Sequence, residues 1–243
     1  MYSRSPYHFR DGFRDGFPIG VGYLSVSIGF GIMAVAQGLP VLAAILMSLT
    51  NLTSAGQVAG LTVITAGGTM AELALSQLII NMRYSLMSIT MSQRMDETMT
   101  TGKRMIIGFD VTDEIFAVST AKTNLVGFSY MLGLVLPCII GWTTGTTLGA
   151  VAGNIMPILI RNALSIAIYG MFIAIVVPPA KTNATILAAT LLSAAVSCCF
   201  HYFPCFDSVG SGFSIIISGL VAAAVLALLA PIQTENEQGG EAQ

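Results

Sequence analysis

The sequence predicts an all-α integral membrane protein with six to seven transmembrane helices, one broken or re-entrant segment lying near residues 41–66. Three observations predict this class. Charged residues make up 9% of the 243 positions, against about 25% in a soluble domain, so the chain cannot make a polar skin. Hydrophobic residues make up 54%, and the mean hydropathy is +0.80. Several apolar runs reach the length of about 20 residues that a helix needs to cross hydrocarbon. A soluble enzyme, a disordered chain and a secreted disulfide scaffold are excluded. The net charge of −2 carries no basic patch of the kind that binds nucleic acid.

Residues 1–16 read as an interfacial or cytoplasmic segment, because Arg4, Arg10 and Arg14 mix with Asp11 and Asp15 and no cleavable signal pattern fits. Within it, the doubled Phe-Arg-Asp-Gly-Phe (Phe9 to Phe13, Phe13 to Phe17) reads as an interfacial anchor. A single membrane domain covers 17–231. Its first span is Phe17 to Gly38, with Pro18 at a helix-start position and Gly38 and Pro40 closing it. Val41 to Ser48 is too short to cross and runs into the polar break Thr50-Asn51-Leu52-Thr53-Ser54; Ala55 to Ala66 follows and stops at Gly67-Gly68. Thr69 to Ser92 is long enough to span although it carries Glu72, Gln77, Asn81 and Arg83. Met95 to Arg104 reads as a charged loop. Further spans are Asn124 to Thr143, Ile158 to Val177, Asn183 to Phe203 and Gly212 to Ala230. Residues 232–243 read as a disordered acidic tail.

Lys and Arg set the orientation. A cytoplasmic N-terminus brings the loop with Arg94, Lys103 and Arg104 to the cytoplasm only if an even number of crossings precedes Ser92. The first span and Thr69 to Ser92 supply two, so Val41 to Ala66 enters and leaves on one side as a re-entrant hairpin. Lys122 and Lys181 then fall inside as well. The rival arrangement has seven crossings, with Val41 to Ala66 as one broken helix.

Gly141, Gly145, Gly149 and Gly153 recur every four residues, and Ser25/Gly29 and Ser27/Gly31 repeat that spacing in the first span. Small faces let helix backbones approach closely, a main route to association in lipid; static packing is the plainer reading, with the Gly141 to Gly153 run partly loop. Cys138, Cys198, Cys199 and Cys205 lack metal-type spacing, so they read as small core hydrophobes rather than, with His201, a metal cluster. No cofactor is expected.

Charges inside a span cost about 2.5 to 3.5 kcal/mol on insertion scales, so the polar residues of Thr69 to Ser92 need a reason. At helical spacing Glu72, Ser76 and Arg83 share one face, while Gln77, Asn81, Tyr84 and Ser88 share another, which predicts a central helix. Glu72 and Arg83 lie about 16 Å apart along the axis, too far to pair. The break at Thr50 to Gln57 is the second signal, since irregular backbone survives at membrane depth only where protein or a wet cavity satisfies it. Interrupted helices of this kind present their ends to a substrate's charges; Ser54 or Thr53 as an N-cap is the plainer alternative. The third signal is Asp110-Val-Thr-Asp-Glu-Ile-Phe116. Asp110, Asp113 and Glu114 stand at i, i+3 and i+4 on one helix face, fit to cap a helix, relay protons or hold an ammonium.

Pro18-Ile-Gly-Val-Gly-Tyr23 leading to Phe30-Gly31, then Ala55-Gly56-Gln57, Asn81-Met-Arg83 and Thr112-Asp-Glu-Ile-Phe-Ala117 with Thr120-Ala-Lys122, together resemble the AzlC family of branched-chain amino-acid permeases. The resemblance covers residues 9–230 and is sharpest before 125. It implies export of valine, leucine, isoleucine and sometimes methionine, and a second, small membrane subunit of the AzlD type. Two positions depart from the family pattern. Tyr84 stands where the family usually has His, and Ile160-Arg-Asn-Ala163 replaces a Leu-Asp-Phe-like segment.

The sequence therefore reads as the large subunit of a two-component secondary transporter in a bacterial inner membrane. It would export branched-chain or similar aliphatic amino acids, with protons as a candidate coupling ion. Thr50, Asn51, Ser54, Gln57, Gln77 and Asn81 are the expected substrate-binding residues. Glu72, Arg83, Asp110, Thr112, Asp113 and Glu114 are the expected coupling and gating residues. No catalytic motif or nucleotide loop is present, so an enzyme is not expected. The rival is a channel-like or scaffold protein whose polar residues serve assembly with a partner.

Overall fold

A computed structural model of the chain describes residues 5–153, 155, 157–206 and 209–229. The expected acidic tail at 232–243, residues 1–4 with Arg4, and the side chains of Ile160, Arg161 and Asn162 lie outside the described residues. The described chain is helical, in the order α1 (Phe9–Ala36), α2 (Val41–Thr50), α3 (Ser54–Thr65), α4 (Met70–Ser92), α5 (Thr101–Gly108), α6 (Asp113–Thr120), α7 (Phe128–Ala152), α8 (Ile158–Thr182), α9 (Ala184–Tyr202), a 3₁₀ turn (Pro204–Phe206) and α10 (Ser211–Leu229). Among the described residues α1, α7, α9 and α10 are long and apolar enough to cross a hydrocarbon core of about 30 Å, and at about 1.5 Å per residue α4 and α8 match it in length. By the same measure α2, α3, α5 and α6 reach only part of the way.

Caps explain several boundaries. The hydroxyls of Thr53, Thr69 and Thr112 accept from the N–H of Gly56, Glu72 and Ile115, and Asn183 Oδ1 accepts from Thr185 and Ile186. Gly38 and Gly67, with φ of +93° and +71°, turn the chain after α1 and α3 in a conformation that other residues resist. Two boundaries depart from expectation. α1 starts at Phe9 rather than Phe17 and holds Pro18 in its interior; α7 runs past Thr143 to Ala152, so Gly141, Gly145 and Gly149 are helical and Gly153 alone of that run lies past the helix end. Both follow from the contact between these two helices.

A Cβ on Gly12 would lie 2.0 Å from the Tyr130 carbonyl oxygen, one on Gly16 2.2 Å from that of Leu134, one on Gly141 2.1 Å from that of Gly20, and one on Gly149 2.1 Å from that of Ile28. The backbones touch along the whole seam. The doubled Phe-Arg-Asp-Gly-Phe, expected as an anchor, supplies Gly12 and Gly16 to it, and this packing holds the turn before Pro18 despite the hydrogen bond that proline removes. Ser27 faces the seam and Ser25 does not; the Ser25 hydroxyl turns back to the Val21 carbonyl. Contacts advance in the same direction along both helices, so α1 and α7 are parallel.

Parallel α1 and α7 require an odd number of crossings between them. α4 is that crossing, and Val41 to Ala66 is a re-entrant hairpin rather than one broken span. Its return end lies beside its entry: Thr65 Oγ1 donates to Gln37 Oε1 at 3.1 Å. A second hairpin, α5–α6, enters from the opposite face. It covers the end of the segment read as a charged loop, and it was not expected. Its base is tied where α4 ends and α7 begins: Arg94 bonds the carbonyls of Thr120 and Lys122, Arg104 bonds Ser92, and Met95 bridges Val126.

α4 is flanking rather than central. Gln77, Asn81 and Tyr84 meet the start of α3, while Glu72 meets α10; a third side bearing Leu78, Leu86 and Ile89 is more than half exposed. Two narrow polar stripes leave room for a lipid face when each is covered by a neighbour. Glu72 is buried, and its Oε1 accepts from Gly212 N at 2.7 Å in the first turn of α10. A carboxylate between the N-terminal ends of α4 and α10 is favoured by both helix dipoles.

The seam predicts a contrast within a single turn of α1. A Cβ on Gly20 would lie 2.4 Å from the Pro137 carbonyl oxygen, whereas one on Gly22 meets nothing within 4 Å. Gly20→Ala should destabilise by about 1–3 kcal/mol, the usual cost of overpacking, and Gly22→Ala should not. Thermal unfolding of the purified variants in detergent checks this; equal melting temperatures would contradict the seam.

Candidate functional site

The tip of the first hairpin is held by a chain of hydrogen bonds. On one side Ser48 Oγ lies 2.7 Å from Thr146 Oγ1, Gln57 Nε2 donates to Ser48 Oγ at 2.9 Å, and Trp142 Nε1 donates to Gln57 Oε1 at 2.7 Å. On the other, Gln77 Nε2 donates to the Gly56 carbonyl at 2.8 Å, Asn81 Nδ2 to Gln77 Oε1 at 3.3 Å, and Thr53 Oγ1 to Asn81 Oδ1 at 2.7 Å. Tyr84 adds a hydroxyl donor to Thr53 Oγ1 at 3.3 Å, and Arg83 donates to Tyr84 in turn. Each of these buried or half-buried polar groups finds a protein partner, the condition for polar chain at membrane depth.

The second tip repeats the first. Asn51-Leu52-Thr53 precedes α3 and Asp110-Val111-Thr112 precedes α6, each an Asn or Asp, an aliphatic residue and a threonine N-cap. Leu52 and Val111 are both buried. As Thr53 is held by Asn81, so Thr112 is held by Tyr23 of α1, whose hydroxyl lies 2.7 Å from Thr112 Oγ1 and 2.5 Å from Glu114 Oε2. The single phenolic proton serves one of these at a time. Arg83 Nη1 lies 2.6 Å from Asp113 Oδ2, with both side chains more than a third exposed, so this pair ties α4 to α6 without contributing much to stability.

The two tips enclose a cavity of about 150 Å³, lined by residues 50–53 and 108–112 with Asn81 and Tyr84 from α4. A smaller cavity beyond it is lined by Tyr23, Ser54, Asp113, Glu114 and Trp142, and shares Leu52, Tyr84 and Thr112 with the first as a partition. The first turns of α3 and α6 open at this level, and the leading N–H groups of a helix have no acceptor within it. Such ends favour an anion. Against them stands Asp110, 1% exposed, with neither carboxylate oxygen hydrogen-bonded. The arrangement offers N–H groups for a negative end and a carboxylate for a positive one.

The structure brings together Thr50, Asn51, Asn81, Asp110 and Thr112 in the larger cavity and Ser54, Asp113 and Glu114 in the smaller. Gln57 and Gln77 lie behind the tip, and Arg83 reaches the site through Asp113 and Tyr84. Glu72 is placed apart, against α10. Asp110 does not share a helix face with Asp113 and Glu114; it lies in the turn before α6, and Thr112 is the cap. Sequence reasoning missed Tyr23, Ser48, Trp142 and Thr146 as partners of the tips. It also missed the repeat of Asn51-Leu-Thr53 in Asp110-Val-Thr112, the one signal that would have found the second hairpin. No group of His, Cys, Asp or Glu able to hold a metal occurs among the described residues.

Residues 18–156 match the family described as AzlC protein. Inner membrane protein YgaZ of Escherichia coli is 27% identical over 150 residues, covering 60% of this chain and 61% of its own length; the match thus spans about three-fifths of that relative. An uncharacterized membrane protein of Archaeoglobus fulgidus is 29% identical over 195 residues, covering 79% of this chain and 84% of its own. One from Helicobacter pylori is 26% identical over 155 residues, covering 61% and 67%. No solved structure matches.

The buried Trp142–Gln57 bond predicts a coupling. Trp142→Phe leaves Gln57 Oε1 without its indole donor, which should cost about 1–3 kcal/mol. In a double-mutant cycle of thermal stability with Gln57→Ala, the two effects should be non-additive by at least about 0.5 kcal/mol. Additivity would contradict the bond.

Proposed function

We propose, from the premise that the chain belongs to the AzlC family of membrane proteins, that it is the large subunit of a two-component secondary transporter exporting branched-chain or similar aliphatic amino acids. The observation that carries this reading is the polar cavity between two opposed hairpin tips, with helix N-termini opening at it. Such a site suits a small zwitterion: the first turn of α3 receives the carboxylate, and Leu52, Val111 and Phe109 beside it favour an aliphatic side chain over a polar one. The chain contains no nucleotide motif, so an ion gradient drives the export, with the proton as coupling ion.

A second chain also has a place. Irregular backbone does not face lipid inside the hydrocarbon region, yet Thr50 and Phe109, at the two helix breaks, are exposed. A small AzlD-type subunit covering this window would close the cavity laterally. The basic end of the molecule, with Arg94, Lys103, Arg104 and Lys122, is the cytoplasmic face of an inner membrane in this reading.

The test is efflux from dipeptide-loaded cells expressing the chain with and without the small subunit. Saturable, partner-dependent release of valine, leucine or isoleucine is expected, and Asn81→Ala should lower it at least about tenfold, a loss of about 1.4 kcal/mol. No amino-acid release with both chains verified in the membrane would contradict export and favour a channel or scaffold.

A further inference from the structure

Asp113, Glu114 and Asp110 stand close together, but they are not equivalent. Asp113 has Arg83 at 2.6 Å, and Glu114 has the Tyr23 hydroxyl at 2.5 Å. Asp110 has neither a cation nor a donor among the described residues, although it is buried and lines the cavity. A carboxyl taken out of water without a partner is costly to ionise, so a charge on this one calls for a partner that the described residues do not supply.

The repeat of the tips sharpens the point. Counting back from the capping threonine, position 110 corresponds to position 51, and there the first tip carries the neutral Asn51. The two breaks differ in length and in hydrogen bonding, but neither Asp110 oxygen bonds the turn it sits in, and Asn51 shows that an uncharged side chain serves at this distance before a threonine cap. The carboxyl at 110 is therefore extra to what the fold needs. The first turns of α3 and α6 open on the same space, and their N–H groups suit the opposite end of a dipolar ligand.

We infer that Asp110 is the ammonium-binding residue of the cavity, pairing the primary ammonium group of a small aliphatic ligand while helix N-termini take its carboxylate. This deepens the amino-acid reading and rests on it for the identity of the whole ligand. It makes a free amine the obligatory feature of the substrate. The carboxylate adds affinity; the amine decides recognition.

The test measures equilibrium binding to the purified 243-residue chain with its small partner. The ligands are L-valine, its decarboxylated analogue 2-methylpropylamine and its deaminated analogue 3-methylbutanoate. In the wild type, 2-methylpropylamine should displace labelled valine and 3-methylbutanoate should do so at least tenfold less well. Asp110→Asn should weaken valine and the amine at least tenfold and leave the acid unchanged; Asp110→Glu should recover part of the loss. The wild-type displacement series stands by itself if a variant does not assemble. Two results would overturn the assignment: displacement by the acid but not by the amine, or wild-type amine affinity in a folded Asp110→Asn complex. Amine binding that depends on Asp110, in a complex that neither binds nor exports any aliphatic amino acid, would keep the ammonium site and overturn the export reading instead.

Discussion

Hydrocarbon offers no water to backbone N–H and C=O groups, and this chain nevertheless interrupts its helices twice at half depth. The rest of the molecule is organised around making those two interruptions tolerable. Thr53 and Thr112 cap the helices that leave each break. Asn81, Gln77 and Tyr84 reach one tip from α4, and Trp142, Ser48 and Thr146 brace its other side. Tyr23 reaches the second tip from α1. Most of the polar residues that look misplaced in an apolar chain are accounted for by this duty. Asp110 is the acid at the tips that it does not account for.

The hairpins face one another across a fold in which α1 and α7 run parallel, and glycine lets those two helices meet at backbone contact. In lipid, close packing of this kind does the work that apolar burial does in water. With α1 and α7 parallel, an odd number of crossings lies between them, and two hairpins of short helices satisfy that count with α4 alone. A closely packed pair of long helices thus carries two hairpins of shorter helices.

Much of this was legible in the sequence. Thr69 to Ser92, the polar break at Thr50 to Thr53, the re-entrant path of 41–66 and the glycine spacing of α7 could all be read from apolar run lengths, caps and the distribution of Lys and Arg. The early start of α1 was not, because Pro18 and the charges at 10–15 imitate a helix boundary, and only contact with Tyr130 and Leu134 makes the extra turns worth forming. The second hairpin was hidden for a different reason. Eight-residue helices carry little periodicity, and Lys103 and Arg104 look like loop residues until their partners are seen. At the site, residue types marked the neighbourhood, but spacing could not separate Asp113 and Glu114, which are paired, from Asp110, which is not.

The claim on which everything else depends is that the two hairpins enter from opposite faces. Single cysteines at Gln37, Ala66 and Thr100, in a chain whose native cysteines are replaced, would measure it through labelling by a membrane-impermeant maleimide added to one side of sealed vesicles. The account predicts that Gln37→Cys and Ala66→Cys react from the same side and Thr100→Cys from the other. Labelling of Gln37→Cys and Ala66→Cys from opposite sides would make residues 41–66 a crossing, and would contradict the meeting of the tips.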